Sequence, residues 1–195
     1  MHPATAVVAD IVAAITPLDT LEQEHIRQTL SWVGGTDDIF RREPPATPPQ
    51  HLVSYVVVVD PDARAILLGA HRKSGLHLPM GGHVDPGENP SHTARREAAE
   101  ELGTDADFTV VGERPLFLTN TRTVGAHPHR DVSLWYVIRG HRDHPFTLDP
   151  REFAGGRWWE IDRATIPESD PHISRFLTKL RTALSAHSHC GAPGR

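Results

Sequence analysis

A single cysteine, Cys190, excludes an internal disulfide framework and any metal site built from several thiolates. Lysine is nearly as scarce. Only Lys73 and Lys179 occur, so the basic character comes almost wholly from arginine. Arginine grips phosphate and carboxylate with two parallel bonds, which is compatible with anionic ligands, although a compositional bias is the plainer account. There is no basic excess. The formal net charge is -5, which excludes a protein that coats nucleic acid through its phosphates. No apolar run approaches the ~18 residues of a membrane span. The first fifteen residues lack a basic start, and Asp10 interrupts their apolar stretch, so they do not read as a signal peptide. The expectation is a cytoplasmic protein with no membrane and no nucleic-acid polymer as partner. Hydrophobic residues at 38% and charged residues at 23% are enough for a packed core and rule out full disorder.

The chain opens with helical periodicity. Val7, Val8, Ile11, Val12 and Ile15 share one face. Thr20-Leu21-Glu22-Gln23 reads as a capping box with Thr20 as the cap, and Ile26, Leu30 and Val33 continue as a second stripe to Gly34-Gly35. Four prolines among residues 44–49 then predict a stiff extended linker. This divides the chain into an N-terminal helical extension (1–43), a Pro-rich linker (44–50), a main domain (51–186) and a loose tail (187–195). Leu52 to Val59 predicts a buried strand, hairpinned through Asp60-Pro61-Asp62 to a second strand at Ala65 to Leu68. Residues 79–88 read as a loop. Asn89 with Pro90 starts a helix that Gly103 ends after Leu102. Further strands are expected at Phe108–Val111, Pro115–Asn120, Val132–Ile138 and Arg157–Ile161, and a last helix from His172 to Leu184. No internal repeat is present.

The segment with chemical content is Gly82 to Thr104, GHVDPGENPSHTARREAAEELGT. On a helix over Pro90–Leu102, Glu97, Glu100 and Glu101 stand at i, i+3 and i+4 and share a face, while Ala94, Ala98 and Leu102 form another face able to pack on a sheet. Arg96 precedes Glu100 by four residues and can pair with it. Like-charge pairs at this spacing cost roughly 0.2–0.5 kcal/mol each, so a solvated acidic face is affordable. A hard divalent cation would remove even that cost. Mg²⁺ prefers oxygen ligands and combines a few carboxylates with substrate phosphates, and Mn²⁺ suits the same oxygens.

Gly82, Glu88, Arg96, Glu97, Glu100, Glu101 and Gly103 agree in identity and spacing with the signature of the Nudix hydrolases, which this segment resembles. Chance agreement at ~7% usage per position is on the order of one in 10⁸ per starting point. Ala98 and Thr104 depart from the signature's aliphatic preference, and Pro79-Met80-Gly81-Gly82 is one residue longer than the usual entry. The resemblance implies an α/β/α sandwich with a mixed β-sheet and the signature as a loop-helix-loop at its edge. It also implies Mg²⁺-dependent cleavage of the diphosphate linkage of a small nucleotide substrate. Carried over, Glu97, Glu100 and Glu101 would ligate the metal with help from the Gly82 carbonyl. Arg96 would orient a glutamate, and Glu88 would brace the loop or reach the metal through water. Glu152, in the run Glu152-Phe153 to Arg157-Trp158, matches a further carboxylate that many relatives supply as ligand or base.

His83 in the signature loop, and His129 and Arg130 in the cluster His127-Pro128-His129-Arg130-Asp131, are candidates for contact with substrate; exposed loop residues are the plainer account. Trp135, Tyr136, Trp158 and Trp159 read as core packing rather than base-stacking platforms. The residues that follow the signature match neither the ADP-ribose nor the dinucleoside-polyphosphate subgroup pattern, which leaves a nucleoside triphosphate or related nucleotide as the leading substrate. A catalytically silent nucleotide-sensing module on the same fold is the alternative. An isoprenyl diphosphate isomerase would need a cysteine in its site, and Cys190 is in the tail. The N-terminal helices could cover the sheet, build a homodimer or lid the site.

Overall fold

The long β-branched run forms β1 (Gln50–Asp60), buried along nearly its whole length. The computed structural model describes residues 2–43, 47–123, 128–162, 166 and 168–190, with the side chains of 187–190 left aside. Before β1 stand α1 (Pro3–Ala13) and α2 (Thr20–Gly35). After it come β2 (Ala65–His71), β3 (His77–Leu78), β4 (Met80–His83), α3 (Pro90–Leu102), β5 (Phe117–Arg122), β6 (Arg130–Arg139), β7 (Phe153–Glu160) and α4 (Ile173–Cys190). The sheet runs β3-β2-β1-β6-β5, with β4 also paired to β1 and β7 to β2. β1 and β6 are parallel and the other pairs antiparallel, so the sheet is mixed.

Side chains alternate across each strand, and here the alternation sorts them into two cores. Leu52, Val56 and Val58 of β1, with Val132, Leu134 and Tyr136 of β6, face α1, α2 and α3. Val57 and Val59, with Trp135 and Val137, face Phe176, Leu177 and Leu180 of α4. The result is an α/β/α sandwich. α1 and α2 put Val8, Val12, Ile15 and Val33 into the same core as the sheet.

Several elements differ from expectation. The N-cap of α2 is Asp19, not Thr20: its carboxylate accepts from the Glu22 N–H at 2.8 Å. Glu22 instead turns inward, accepting from Leu18 N at 2.6 Å, Leu118 N at 3.2 Å and Lys179 Nζ at 2.7 Å. Residues 80–83 are not loop but strand, because β1 offers Val53 to Val56 an antiparallel partner. Phe108 to Val111 is a turn. Asp107 accepts from the Thr109 N–H at 2.9 Å, and Phe108 and Val110 are apolar because each plugs a different core. The last helix runs on to Cys190, past the expected start of the tail. Of the expected linker, Pro44, Pro45 and Ala46 lie outside the described residues, and the flanking Glu43 and Thr47 pair antiparallel rather than running on extended. α3 has the expected bounds, with Asn89 capping Ser91 N and Gly103 left-handed at φ 65°.

Candidate active site

Close packing of α3 on the sheet decides the site. Ala94 and Ala98 are fully buried, and their small side chains bring the helix near β4. A Cβ built on Gly82 would collide with the Glu97 carboxylate, so glycine there lets Glu97 lie against the strand. One strand position earlier, the Gly81 N–H donates to Glu101 Oε2 at 2.7 Å. Gly81 sits at φ +140°, and a Cβ there would strike the Ser54 carbonyl.

Arg96 is the hub. Its Nη1 donates to Glu97 Oε1 at 2.7 Å and to Glu100 Oε2 at 3.4 Å, so these two carboxylates stand side by side. Its Nη2 donates to the His83 carbonyl at 3.2 Å, and the same guanidinium reaches both oxygens of Glu88. Glu88 also accepts from Thr93 Oγ1 at 2.7 Å and from Asp85 N at 3.3 Å. Its carboxylate is therefore engaged in tying the loop to the helix.

The electrostatics follow from burial. Glu97 and Glu101 are 7% and 8% exposed. Desolvation raises the Glu97 carboxyl above the usual carboxylate range, opposed by Arg96. It pushes Glu101 up to about 8, with the charges of Glu97, Glu152 and Asp149 adding to the rise and the Gly81 bond opposing it. Arg96, facing three glutamates, is held still more firmly protonated. Glu100 is well exposed. Glu152 stands near His71 Nε2 and Lys73 Nζ, each at 3.5 Å, and a hollow lined by Ala70, His71, Arg72, Gly75 and Ala154 opens beside it.

The signature residues are thus gathered, but they do not all meet at a point. Among the described residues, the groups whose ligand atoms lie within 4.8 Å of one another are His51, His83, His129 and Asp131, and Asp60, Asp62 and His141; the signature glutamates form no such group. Arg96 bonds Glu97, and the Gly81 N–H bonds Glu101. The His83 ring and His129 leave this group, although the His83 carbonyl accepts from Arg96. Strand alternation turns the His83 ring to the face opposite Gly82, where it packs against His51 with ring centroids 4.7 Å apart. His129 stacks on the same His51 at 4.9 Å. Arg130 donates to Asn120 Oδ1 at 3.1 Å on the neighbouring strand. His127 lies outside the described residues. His51 and His71 were not singled out from sequence. A histidine at the head of an otherwise apolar strand was the available signal for His51.

Three comparisons bear on this arrangement. The family model described as the NUDIX domain matches residues 49–180. The RNA pyrophosphohydrolase of Gluconacetobacter diazotrophicus is 32% identical over 110 residues, covering 51% of this chain and 64% of that protein, so the chain spans less than two thirds of that relative. The asymmetrical bis(5'-nucleosyl)-tetraphosphatase of Rattus norvegicus is 30% identical over 122 residues, covering 61% of this chain and 77% of that protein. Among solved structures, a C. elegans Ap4A hydrolase binary complex shares the fold with a TM-score of 0.55, covering 69% of this chain and 98% of that one at 19% identity.

Proposed function

Because the chain belongs to the Nudix hydrolase family, we propose that it hydrolyses the diphosphate linkage of a small nucleotide, a nucleoside triphosphate or a related nucleoside diphosphate derivative, with Mg²⁺ or Mn²⁺ bound by the α3 carboxylates. The carrying observation is the network in which Arg96 joins Glu88, Glu97 and Glu100 while Glu97 and Glu101 close on the glycines of β4.

The donor set suits a hard cation. It is all oxygen, and negative charge gathers around Glu101 from Glu97, Glu152 and Asp149. Glu97 has one oxygen bonded by the Arg96 guanidinium and Glu101 one bonded by the Gly81 N–H, which leaves each a second oxygen to give. Glu97, Glu100, Glu101 and the Gly82 carbonyl would hold the ion, which supplies charge neutralisation of the phosphates and a lower pKa for attacking water. The residues do the rest. Arg96 keeps Glu97 and Glu100 aligned and stays charged throughout. Glu88 fixes the loop that joins β4, with its Gly82, to α3. Glu152 brings a carboxylate from outside α3, beside a hollow open to solvent. Water forms the new P–O bond, the bridging P–O bond breaks, and a carboxylate of the group takes the water's proton.

The test is hydrolysis of nucleoside triphosphates, dinucleoside tetraphosphates and 5'-triphosphorylated RNA, with Mg²⁺ and with chelator, identifying products. Glu100→Gln and Glu101→Gln are expected to lose about 10²–10³-fold in kcat/KM, equivalent to roughly 3–4 kcal/mol. Full activity in both variants removes the proposed carboxylate site. Tight nucleotide binding by the wild type without turnover in any arm favours the sensing module instead.

A further inference from the structure

The second face of the sheet carries a group that lies outside the carboxylate network of α3. His51 heads β1, His83 ends β4, Asp131 lies opposite His51 in β6, and His129 precedes that strand. Strand parity places His51, Asp131 and His83 on the α4 side, away from α3. Their ligand atoms all lie within 4.8 Å of one another. His51 Nε2 is 3.4 Å from Asp131 Oδ1, and His129 Nε2 is 3.3 Å from the same oxygen.

These separations are long for a hydrogen bond, which favours about 2.7–3.2 Å. They match two ligands of one tetrahedral ion, because bonds of about 2.0–2.1 Å put ligand atoms about 3.3–3.5 Å apart. The hydrogen-bond pattern agrees. The His51 side chain is fully buried, yet its Nε2 has no hydrogen-bond partner, and neither do His83 Nε2 and Asp131 Oδ1. A buried polar atom without a partner costs roughly 1–3 kcal/mol, and three around one point are unusual. The outer bonds orient the rings. His51 Nδ1 lies 2.8 Å from the Pro48 carbonyl, which places its proton there and leaves the Nε2 lone pair facing Asp131. His129 Nδ1 lies 3.2 Å from Thr123 Oγ1. Ligating histidines are held by such contacts to their second nitrogen.

The other group of this kind, at Asp60, Asp62 and His141, differs. Asp60 accepts backbone N–H bonds from Asp62, Ala63 and Arg142 and so serves its turn. Arg41 is felt electrostatically at the histidine group, but among the described residues no ion pair joins it to Asp131.

We propose that His51, His83, His129 and Asp131 bind a transition-metal ion, Zn²⁺ by ligand type and geometry, that clamps β1, β4 and β6 on the sheet face opposite the signature helix. Three imidazoles and one carboxylate complete a four-coordinate shell, the arrangement of a structural rather than a catalytic zinc. Holding His83 fixes the strand whose preceding glycines receive Glu97 and Glu101.

The test uses the full chain saturated with Mg²⁺, so that the α3 carboxylates do not compete for the added metal. Elemental analysis after dialysis is expected to find stoichiometric zinc in the wild type and in Glu100→Gln, and a loss of affinity of about 100-fold or more in His51→Ala and His129→Ala. Co²⁺ replacing zinc in the wild type is expected to give the intense visible absorption of a tetrahedral site. Zinc retained at wild-type level in both histidine variants overturns the proposal. So does a wild type that neither holds zinc nor gives the cobalt spectrum, and this measurement decides the matter should the variants fail to fold. Loss of hydrolysis in Glu100→Gln with zinc retained separates the two sites.

Discussion

Glu101 shows how one residue can stabilise or destabilise according to conditions. Burial raises its carboxyl from 4.5 to about 8, so the folded chain binds its proton more tightly than the unfolded chain does. In metal-free solution its contribution is complete below the unfolded value and is lost as pH rises through the folded one. Wild-type stability minus that of Glu101→Gln is expected to fall between about pH 5 and pH 8, by at most about 1.4 kcal/mol per unit. Urea unfolding of both chains across that range measures it. A flat difference would show that Glu101 is ionised at no cost. Mg²⁺ added at the high end is expected to stabilise the wild type more than the variant, because the ion favours the charged carboxylate.

At the scale of elements, the two sides of the sandwich are tied by a buried charge pair. Lys179 of α4 reaches Glu22 of α2 at 2.7 Å, and Glu22 also accepts from the Leu118 N–H of β5. The Glu22 side chain is fully buried and that of Lys179 is 12% exposed. Removing one partner leaves the other charge without compensation. Lys179→Met is expected to cost about 3–5 kcal/mol by chemical denaturation, and Glu22→Gln with Lys179→Met to recover more than half of that, since a neutral amide needs no counterion. Equal losses in the single and double variants would show that the pairing is not what matters. The capping pattern was readable one residue out of place. Asp19 and Thr20 both suit an N-cap, and the one used is Asp19, whose carboxylate accepts the Glu22 N–H and also pairs with Arg175 of α4.

For the whole molecule, α1 and α2 are part of the core. Val8, Val12, Ile15, Val33, Ile39 and Phe40 are all buried with the sheet residues. At roughly 1.5–3 kcal/mol for each buried side chain, their removal costs on the order of 10 kcal/mol, comparable to the entire stability of a typical domain. A chain lacking residues 1–43 is therefore expected to lose its cooperative thermal transition and its near-ultraviolet dichroism. A truncated chain that melts cooperatively at the wild-type temperature would show these helices to be an appendage.

The sequence alone determined what depends on neighbours along the chain: the buried β1 run, the capped and stopped α3, and the glutamate and arginine spacing that puts one chemistry on one helix face. Local rules govern these because helix period, cap residues and glycine stops act within a turn or two. Only the tertiary structure decided that Met80–His83 is a strand, that Glu22 faces inward to Lys179, and that His51, His83, His129 and Asp131 face one another. The first and last depend on which strands pair and in what register, and the second on how α2 and α4 pack around the sheet. A shift of one residue turns a side chain to the other face of the sheet, and the pairing that fixes the register joins residues far apart in the chain.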